Sequence, residues 1–304
     1  MTDFENYRCG FTAIVGRPNA GKSTLINAMV GEKIAITANQ PETTRRVIRG
    51  IANHNSGQLI LVDTPGLHRP RTLLGERLND LVHESLADVD AVVLCLPADE
   101  KIGPGDNFLL NLVQKTKAPI VAVVTKADKV SREKLAVKLL EVSKFADFAE
   151  VIPVSAVRGE QVELLAELLI KQMPLSPPLY PTDSVTDEST EARIAELIRE
   201  AALDGVRDEL PHSIAVVIEE MEERLREEGD TRPPLVDISA SIFVERDSQK
   251  GIVIGRGGSR LREVGKRSRQ GIEELLGQRV YLDLRVKVAK DWQRNPKLLG
   301  RLGF

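Results

Sequence analysis

The stretch Gly16-Arg-Pro-Asn-Ala-Gly-Lys-Ser23 decides the fold of the first half of this 304-residue chain. It fits the pattern G-x-x-x-x-G-K-S, it follows the apolar run 11–15, and apolar residues recur at helical spacing after it. A glycine-rich turn between a strand and a helix directs backbone N–H groups at phosphate oxygens, where the helix N-terminus adds positive potential. The pattern therefore predicts a P-loop nucleotide site.

Further apolar runs follow the P-loop, and helical patterns separate them. Near-continuous apolar strands that alternate with helices are buried on both faces of a sheet. We therefore predict an α/β fold with a mostly parallel sheet and helices on both faces. The strand runs lie at 59–62, 91–96, 120–124 and 151–154, and the helical patterns lie at 74–86, 107–115, 133–142 and 159–173.

Four residues carry the predicted phosphate and metal chemistry. Lys22 would reach the β- and γ-phosphates, and the Ser23 hydroxyl would ligate Mg²⁺, a hard cation that prefers oxygen ligands. The stretch Asp63-Thr-Pro-Gly66 follows the strand run 59–62. Asp63 would hold Mg²⁺ through a water molecule, and the Gly66 N–H would sense the γ-phosphate.

The base specificity is predicted from Thr125-Lys-Ala-Asp128, which follows an apolar strand. The Asp128 carboxylate can accept two hydrogen bonds from guanine, at N1–H and at the 2-amino group. Adenine offers neither, so the carboxylate would be left unpaired and GTP is favoured over ATP. The Lys126 stem would cover one face of the base, and Val154-Ser-Ala156 would supply a backbone N–H to guanine O6.

Two loops, 39–46 and 67–75, are predicted to change conformation with the nucleotide. One threonine of the first loop should complete the Mg²⁺ shell when GTP is bound. Analogy with related GTPases favours Thr44 over Thr43. Leu67 stands where Ras-type GTPases have a glutamine that orients the attacking water. Leucine cannot form that hydrogen bond, so we predict slow intrinsic hydrolysis.

Asn19 predicts how hydrolysis is accelerated. An asparagine at this position resembles that of potassium-stimulated GTPases, where it helps to hold K⁺ beside the phosphates. The alternative is that Asn19 only forms hydrogen bonds within the loop. The predicted nucleotide-binding residues are Gly16, Arg17, Pro18, Asn19, Ala20, Gly21, Lys22, Ser23, Thr24, Asp63, Thr64, Pro65, Gly66, Leu67, Thr125, Lys126, Asp128, Ser155 and Ala156; Lys22, Thr44, Asp63 and Gly66 are the predicted catalytic residues.

A proline-rich segment separates the two halves of the chain. Four prolines lie within 174–181, a density that cannot continue a helix and favours an extended, semi-rigid connector. We therefore predict a GTPase domain over 1–173, a linker over 174–190 and a second domain over 191–304.

The second half has the element order of a different fold. Gly255-Arg-Gly-Gly258 is a G-x-x-G loop that precedes a basic helical pattern. The order helix, strand, strand, helix, loop, helix, strand is that of an α+β type II KH domain. Helices are predicted over 190–203 and 259–276, strands over 214–218, 236–244 and 280–288, and a solvated helix end or loop over the acid-rich 219–228.

This second domain is predicted to bind RNA. In KH modules the G-x-x-G loop lets the nucleic-acid backbone approach, and an apolar groove holds about four unstacked bases. Residues 250–304 contain 14 Lys and Arg against 5 Asp and Glu, a net charge of +9, whereas the rest of the chain carries −12. The alternative is a helix-capping turn with solvated basic side chains. The predicted RNA-binding residues are Lys250, Gly255, Arg256, Gly257, Gly258, Arg260, Arg262 and Lys266.

Composition limits the location and the remaining function classes. A chain that is 42% hydrophobic and 29% charged is typical of a soluble globular protein. No run approaches the ~18–20 apolar residues of a membrane span. Two cysteines can frame neither a disulfide scaffold nor a zinc site by themselves. We expect a monomer in the reducing cytoplasm.

With both halves in view, the chain resembles the bacterial Era GTPase family over essentially its whole length. The resemblance implies a GTP-hydrolysing switch that binds near the 3′ end of 16S ribosomal RNA during maturation of the 30S small ribosomal subunit. Peripheral membrane association at the inner face of the cell membrane is also described for the family, although no amphipathic helix here requires it. The matching motifs are Gly16-Arg-Pro-Asn-Ala-Gly-Lys-Ser23, Pro41-Glu-Thr-Thr-Arg45, Asp63-Thr-Pro-Gly-Leu67, Pro177-Pro-Leu-Tyr-Pro181, Gly255-Arg-Gly-Gly258, Val286-Lys-Val-Ala-Lys-Asp-Trp292 and Leu302-Gly-Phe304.

Two residues depart from the family pattern. Thr125 stands where the family usually has asparagine, so the contact that ties this loop to the P-loop is expected to be weaker. Arg256 stands where a lysine is frequent, and arginine keeps the charge with a planar, multi-donor geometry for phosphate. Two other hypotheses remain open: an RNA-binding scaffold whose nucleotide site serves structure, and a membrane-associated signalling GTPase.

Overall fold

The computed structural model describes residues 6–36, 48–64, 72–206, 213–224 and 235–302. The chain divides into two compact units, with the main division between Asp187 and Glu188. The described elements of the first half are β1 (Arg8–Gly16), α1 (Lys22–Val30), β2 (Ile48–His54), β3 (Gly57–Asp63), α2 (Leu73–Ala87), β4 (Ala91–Pro97), α3 (Pro104–Val113), β5 (Ile120–Thr125), α4 (Arg132–Ser143), β6 (Glu150–Pro153) and α5 (Val162–Gln172).

The six strands form one sheet in the order β2-β3-β1-β4-β5-β6. All neighbours are parallel except β2 and β3, which form an antiparallel pair. Two apolar clusters cover the faces: residues of α1 and α5 pack on one, and residues of α2, α3 and α4 pack on the other. The predicted α/β fold with a mostly parallel sheet is confirmed. Strand β2 was not among the apolar runs, because Arg49, Asn53 and His54 interrupt its pattern at the edge of the sheet.

The second unit contains α6 (Thr190–Leu203), β7 (Ala215–Glu223), β8 (Leu235–Val244), α7 (Asp247–Ile254), α8 (Ser259–Leu276), β9 (Arg279–Val288) and α9 (Pro296–Arg301). Its sheet has the order β7-β8-β9, with β8 antiparallel to β7 and parallel to β9. Trp292 anchors the C-terminal end, since it is fully buried and its indole N–H donates to the Ser213 carbonyl at 3.2 Å. This is the predicted element order of the KH fold.

The prediction for the acid-rich stretch 219–228 is wrong over its first five residues. Residues 219–223 belong to strand β7, not to a solvated helix end or loop; 225–228 lie outside the described residues. The strand forms because its backbone pairs with β8, and one of its carboxylates finds partners across the sheet. Glu219 pairs with Lys287 and accepts a hydrogen bond from Ser241 at 3.0 Å. The acidic side chains favoured a solvated segment, but the backbone pairing with β8 makes these residues a strand.

The proline-rich segment is held against the first unit by its backbone. The Ser176 N–H donates to the Tyr7 carbonyl at 3.0 Å, and the Ile51 N–H donates to the Val185 carbonyl at 2.8 Å. Fully buried Gln58 bonds the backbone of 179–180. Residues up to Asp187 therefore cluster with the first unit, while the predicted domain limits at 173 and 190 stay predictions.

No helix in the described parts of the chain is long and apolar enough to cross a membrane.

Candidate active site and nucleic-acid interface

The P-loop connects the end of β1 to the start of α1 through a turn of left-handed backbone. Asn19 has φ of 62° and Gly21 has φ of 90°, values that asparagine and glycine accept at low cost. A Cβ atom on Gly16 would meet Cys95 Cβ at 3.0 Å and Ala20 Cβ at 3.1 Å. The two glycines and the asparagine therefore allow the tight turn that a phosphate-binding loop needs.

Lys22 directs its ammonium back into this loop. Its Nζ donates to the Gly16 carbonyl at 3.0 Å and to the Arg17 carbonyl at 3.2 Å, and the side chain is only 8% exposed. Burial lowers the pKa of Lys22, while the negative charge of Asp63 acts in the opposite direction. The loop carbonyls and Asp63 thus keep a buried cation in place, where it can meet phosphate oxygens.

Ser23 and Asp63 form the oxygen pair that fits a magnesium ion. The Ser23 hydroxyl donates to Asp63 Oδ2 at 2.9 Å, and Asp63 is fully buried at the end of β3. Among the described residues no group of three or more His, Cys, Asp or Glu gathers into a metal cage. Mg²⁺ is usually held by one or two protein oxygens together with waters and phosphate oxygens, so this donor set suits it.

The guanine-recognition loop is tied directly to the P-loop. The Thr125 hydroxyl, at the end of β5, donates to the Ala20 carbonyl at 2.6 Å, and both residues are buried. The shorter threonine therefore makes the contact between this loop and the P-loop; that the contact is weaker than with asparagine stays a prediction. Lys126 has a left-handed backbone with φ of 55°, and its Nζ lies 3.4 Å from Glu100 Oε1. That its stem covers one face of the base stays a prediction.

Asp128 and Ser155 are brought together from the ends of two neighbouring strands. The buried Ser155 hydroxyl donates to Asp128 Oδ1 at 2.7 Å. This hydrogen bond is the main cause that lowers the pKa of Asp128. The carboxylate is therefore kept ionised and oriented, as an acceptor for two guanine N–H groups must be.

Two predicted nucleotide residues use their side chains elsewhere. The Arg17 guanidinium pairs with buried Asp106 at 2.8 Å and with Glu100 at 3.0 Å, and the Thr64 hydroxyl donates to the Ile14 carbonyl at 2.8 Å. The two acidic partners were not predicted; Glu100 lies shortly after β4 and Asp106 lies in the first turn of α3. Of the predicted residues, Thr43, Thr44, Pro65, Gly66 and Leu67 lie outside the described residues.

The G-x-x-G loop lies between α7 and α8 in the second unit. Gly255, Gly257 and Gly258 have φ of 73°, 59° and 76°, and a Cβ on Gly255 would lie 2.7 Å from Arg260 Cβ. Only glycine fits this turn without strain. Arg256, between them, is exposed.

A groove of about 540 Å³ opens beside this loop, between α8 and β9. Arg262 and Lys266, two of the predicted residues, lie on its α8 side and are exposed. Its leucines on β9 were not predicted as site residues, although the alternation along β9 places Leu282 and Leu284 on the same face of the sheet. The lining residues are Gly258, Leu261, Arg262, Gly265, Lys266, Arg269, Tyr281, Leu282 and Leu284.

Arg260 and Lys250 do not line the groove. The Arg260 guanidinium donates to the carbonyls of Ala202 at 3.2 Å and Asp204 at 2.7 Å, at the C-terminal end of α6. Burial lowers the pKa of Arg260. The structure therefore places this arginine as a helix cap, which the helical spacing of the sequence could not distinguish from a phosphate contact.

Family models match both units. A model described as a 50S ribosome-binding GTPase matches residues 11–126, and a KH domain model matches residues 209–293.

Curated relatives match over the full length. The chain is 56% identical to the GTPase Era of Mycolicibacterium smegmatis and 58% identical to that of Mycobacterium tuberculosis, and each alignment covers 100% of both chains.

Two solved structures match across both units. One is Aquifex aeolicus Era, as a variant bound to GDP·AlF4⁻; it is 36% identical, with a TM-score of 0.90 over 97% of this chain and 99% of that chain. The other is Era in complex with MgGDPNP and nucleotides 1506–1542 of 16S ribosomal RNA; it is 37% identical, with a TM-score of 0.90 over 98% of this chain and 99% of that one.

Proposed function

The chain belongs to the Era GTPase family and is a GTPase, and on that premise we propose that its nucleotide state controls binding of the 3′ segment of 16S ribosomal RNA during assembly of the 30S subunit. One observation supports this proposal above the others. A P-loop site with a guanine-recognition pair and a basic G-x-x-G groove occur on the same chain. The related Era complex contains both MgGDPNP and a 16S ribosomal RNA fragment.

At the nucleotide site the chain supplies binding, orientation and charge. The ammonium of Lys22 would meet the β- and γ-phosphates, and the oxygens of Ser23 and Asp63 would hold Mg²⁺, which offsets phosphate charge when bound. Asp128, oriented by Ser155, would select guanine. We propose that Thr44 and the Gly66 N–H complete the site on the γ-phosphate side.

Phosphate release from GTP tests the enzymatic part. Lys22→Ala should lower the rate by about 10²-fold or more, because a positioned charge on the transferred phosphoryl group is removed. Lys144→Ala, at an exposed position after α4, is the matched control and should keep the full rate. Equal rates in the two variants would contradict the assigned role of Lys22.

RNA affinity, measured with GTP and with GDP, tests the switch. We expect the two nucleotide states to differ in affinity for the 3′-terminal segment of 16S ribosomal RNA; equal affinities would refute the coupling.

Arg256→Asp should weaken RNA binding and reduce its salt dependence, with a slope change of about 0.7 per lost phosphate contact. Lys144→Asp makes the same change of charge sign in the first unit and should have little effect. Crosslinking in cells, followed by sequencing of the bound RNA, tests the identity of the partner.

We also propose that K⁺ at Asn19 accelerates hydrolysis. The competing explanation is conformational, since asparagine is favoured at the φ of 62° found here. Asn19→Gly separates the two, because glycine keeps the backbone and removes the side-chain oxygen. Under the proposal the wild type hydrolyses GTP faster in K⁺ than in Na⁺, and Asn19→Gly loses that difference. A wild type with equal rates in both salts would refute it.

A cytoplasmic monomer is the state we propose for this function. Sedimentation of the full chain tests the monomer, and cosedimentation with anionic vesicles tests the peripheral membrane association expected from the family resemblance. Membrane binding that survives Arg256→Asp, without RNA enrichment in cells, would instead favour the signalling hypothesis. The scaffold hypothesis is set aside because the family is enzymatic.

A further inference from the structure

Glu100 lies in the loop that follows β4, and its two carboxylate oxygens contact cations from two different nucleotide loops. Its Oε2 lies 3.0 Å from an Nη of Arg17, which belongs to the P-loop. Its Oε1 lies 3.4 Å from Nζ of Lys126, which belongs to the guanine-recognition loop. One side chain therefore joins the loop assigned to the phosphates to the loop assigned to the base.

The backbone around Glu100 is fixed at two points. The Ala98 N–H donates to the carbonyl of Thr125, the residue directly before Lys126, at 2.8 Å. The ammonium of Lys138 on α4, which is only 5% exposed, donates to the Glu100 carbonyl at 2.9 Å. Because these bonds restrain the loop, the carboxylate is presented at a set distance from the guanine-recognition loop.

The P-loop partner of Glu100 is restrained as well. The Arg17 Nε donates to Oδ1 of Asp106 at 2.8 Å, and Asp106 is fully buried in the first turn of α3. A Cβ on Gly105 would lie 2.9 Å from Arg17 Cδ, so this glycine leaves the room that the arginine stem occupies. A guanidinium held at its Nε still has Nη groups to donate, and one of them meets Glu100.

Lys126 has a second carboxylate within reach, at a longer distance. Its Nζ lies 3.9 Å from Oδ1 of Asp99, and the other oxygen of Asp99 lies 3.7 Å from Nζ of Lys129. The attraction between two charges falls with distance, and Asp99 is shared with a second lysine. Glu100 is therefore the principal partner of the Lys126 ammonium.

We propose that Glu100 is a positioning residue for the guanine nucleotide. Its carboxylate ties the Lys126 ammonium to Arg17, and so keeps the Lys126 stem over the face of the base while the P-loop holds the phosphates. Glu100 acts through Lys126 and slows the release of the nucleotide. This inference rests on the proposed nucleotide site, in which the Lys126 stem covers the base.

The rate at which the full chain releases GDP tests the proposal, with a fluorescent label on the ribose and a chase of unlabelled GDP. Glu100→Gln should speed release by about 1.5- to 5-fold, the range expected when one partly exposed ion pair is lost. Glu100→Lys places a third cation beside Arg17 and Lys126 and should speed release further. Glu167→Gln removes an exposed carboxylate from α5 of the same unit and should keep the wild-type rate.

A double-mutant cycle gives a readout that a merely structural role would not change. Lys126→Ala removes the stem and should itself speed release, and adding Glu100→Gln to it should leave its rate unchanged. Equal acceleration by Glu100→Gln with and without the Lys126 side chain would overturn the proposal, because Glu100 would then only stabilise the loop. Wild-type release in Glu100→Gln and Glu100→Lys, with fast release in Lys126→Ala, would overturn the bridge and leave the nucleotide site intact. Wild-type release in Lys126→Ala would overturn both.

Discussion

Gln58 holds the proline-rich segment against the first unit, and Gln58→Leu should release that segment. The side chain is fully buried on β3. Its Oε1 accepts hydrogen bonds from the backbone N–H groups of Leu179 at 2.9 Å and Tyr180 at 3.0 Å, and its Nε2 donates to the Tyr180 carbonyl at 2.9 Å. Leucine has a similar volume but can neither donate nor accept, so the change removes these bonds and leaves little cavity.

The magnitude follows from the number of bonds lost. A hydrogen bond of this kind contributes roughly 0.5–1.5 kcal/mol net, and three of them reach the segment, so the free energy of local opening should fall by about 2–4 kcal/mol. Water can reach the exposed side of Leu179, which keeps the loss below the cost of leaving all three backbone groups buried and unbonded. The expected result is ~30- to ~1000-fold faster amide exchange.

Hydrogen exchange of a peptide that spans 175–183, followed by mass spectrometry, measures this opening. Gln172→Leu is the matched control, because that glutamine is exposed at the end of α5 and its replacement should leave the exchange unchanged. If Gln58→Leu left the exchange of Leu179 and Tyr180 within twofold of the wild type, the reasoning would be refuted.

Three further predictions concern the two units. Ser155→Ala should raise the pKa of Asp128 from its lowered position; because GTP binding needs the carboxylate, affinity should begin to fall at a higher pH on acidification than in the wild type, and titrations across acidic pH measure this. Trp292→Ala should destabilise the second unit by about 3–5 kcal/mol in chemical denaturation, because a fully buried indole is removed; a loss below ~1 kcal/mol would contradict its role as an anchor. Arg17→Ala should lower the thermal midpoint of the first unit, because Asp106 is left buried without its cation, and Arg17→Lys should recover part of the loss; an unchanged midpoint would show that the pair is not stabilising.

Several elements could be predicted because their signals are local. Helices over Thr190–Leu203 and Ser259–Leu276 begin and end where the sequence predicts, since a serine cap and flanking glycines mark their ends. The P-loop and Asp128 were found from motif spacing alone. Each signal comes from residues that are close in the chain, so no tertiary information was needed.

Other features depended on residues far apart in the sequence. Strand β2 forms because β3 pairs with it, and the acidic 219–223 is a strand because β8 pairs with it. Arg260 and Arg262 are two residues apart, yet one caps α6 and the other lines the groove. Both arginines carry the same charge, and helical spacing only puts them on different faces of α8. The packing of α8 against α6 decides which face caps a helix and which lines the groove.

The sequence by itself determined the chemistry of this protein: a phosphate loop with Lys22 and Ser23, a guanine acceptor at Asp128, and a G-x-x-G loop in a basic half. These depend on residue type and short spacing, which folding does not change. Tertiary structure decided which side chains serve the groove and which serve the fold. Gln58 bonds a segment about 120 residues away, and Arg224, directly after β7, lies 6.0 Å from the ring centroid of Tyr281 on β9, because such contacts exist only once distant strands have been paired in register.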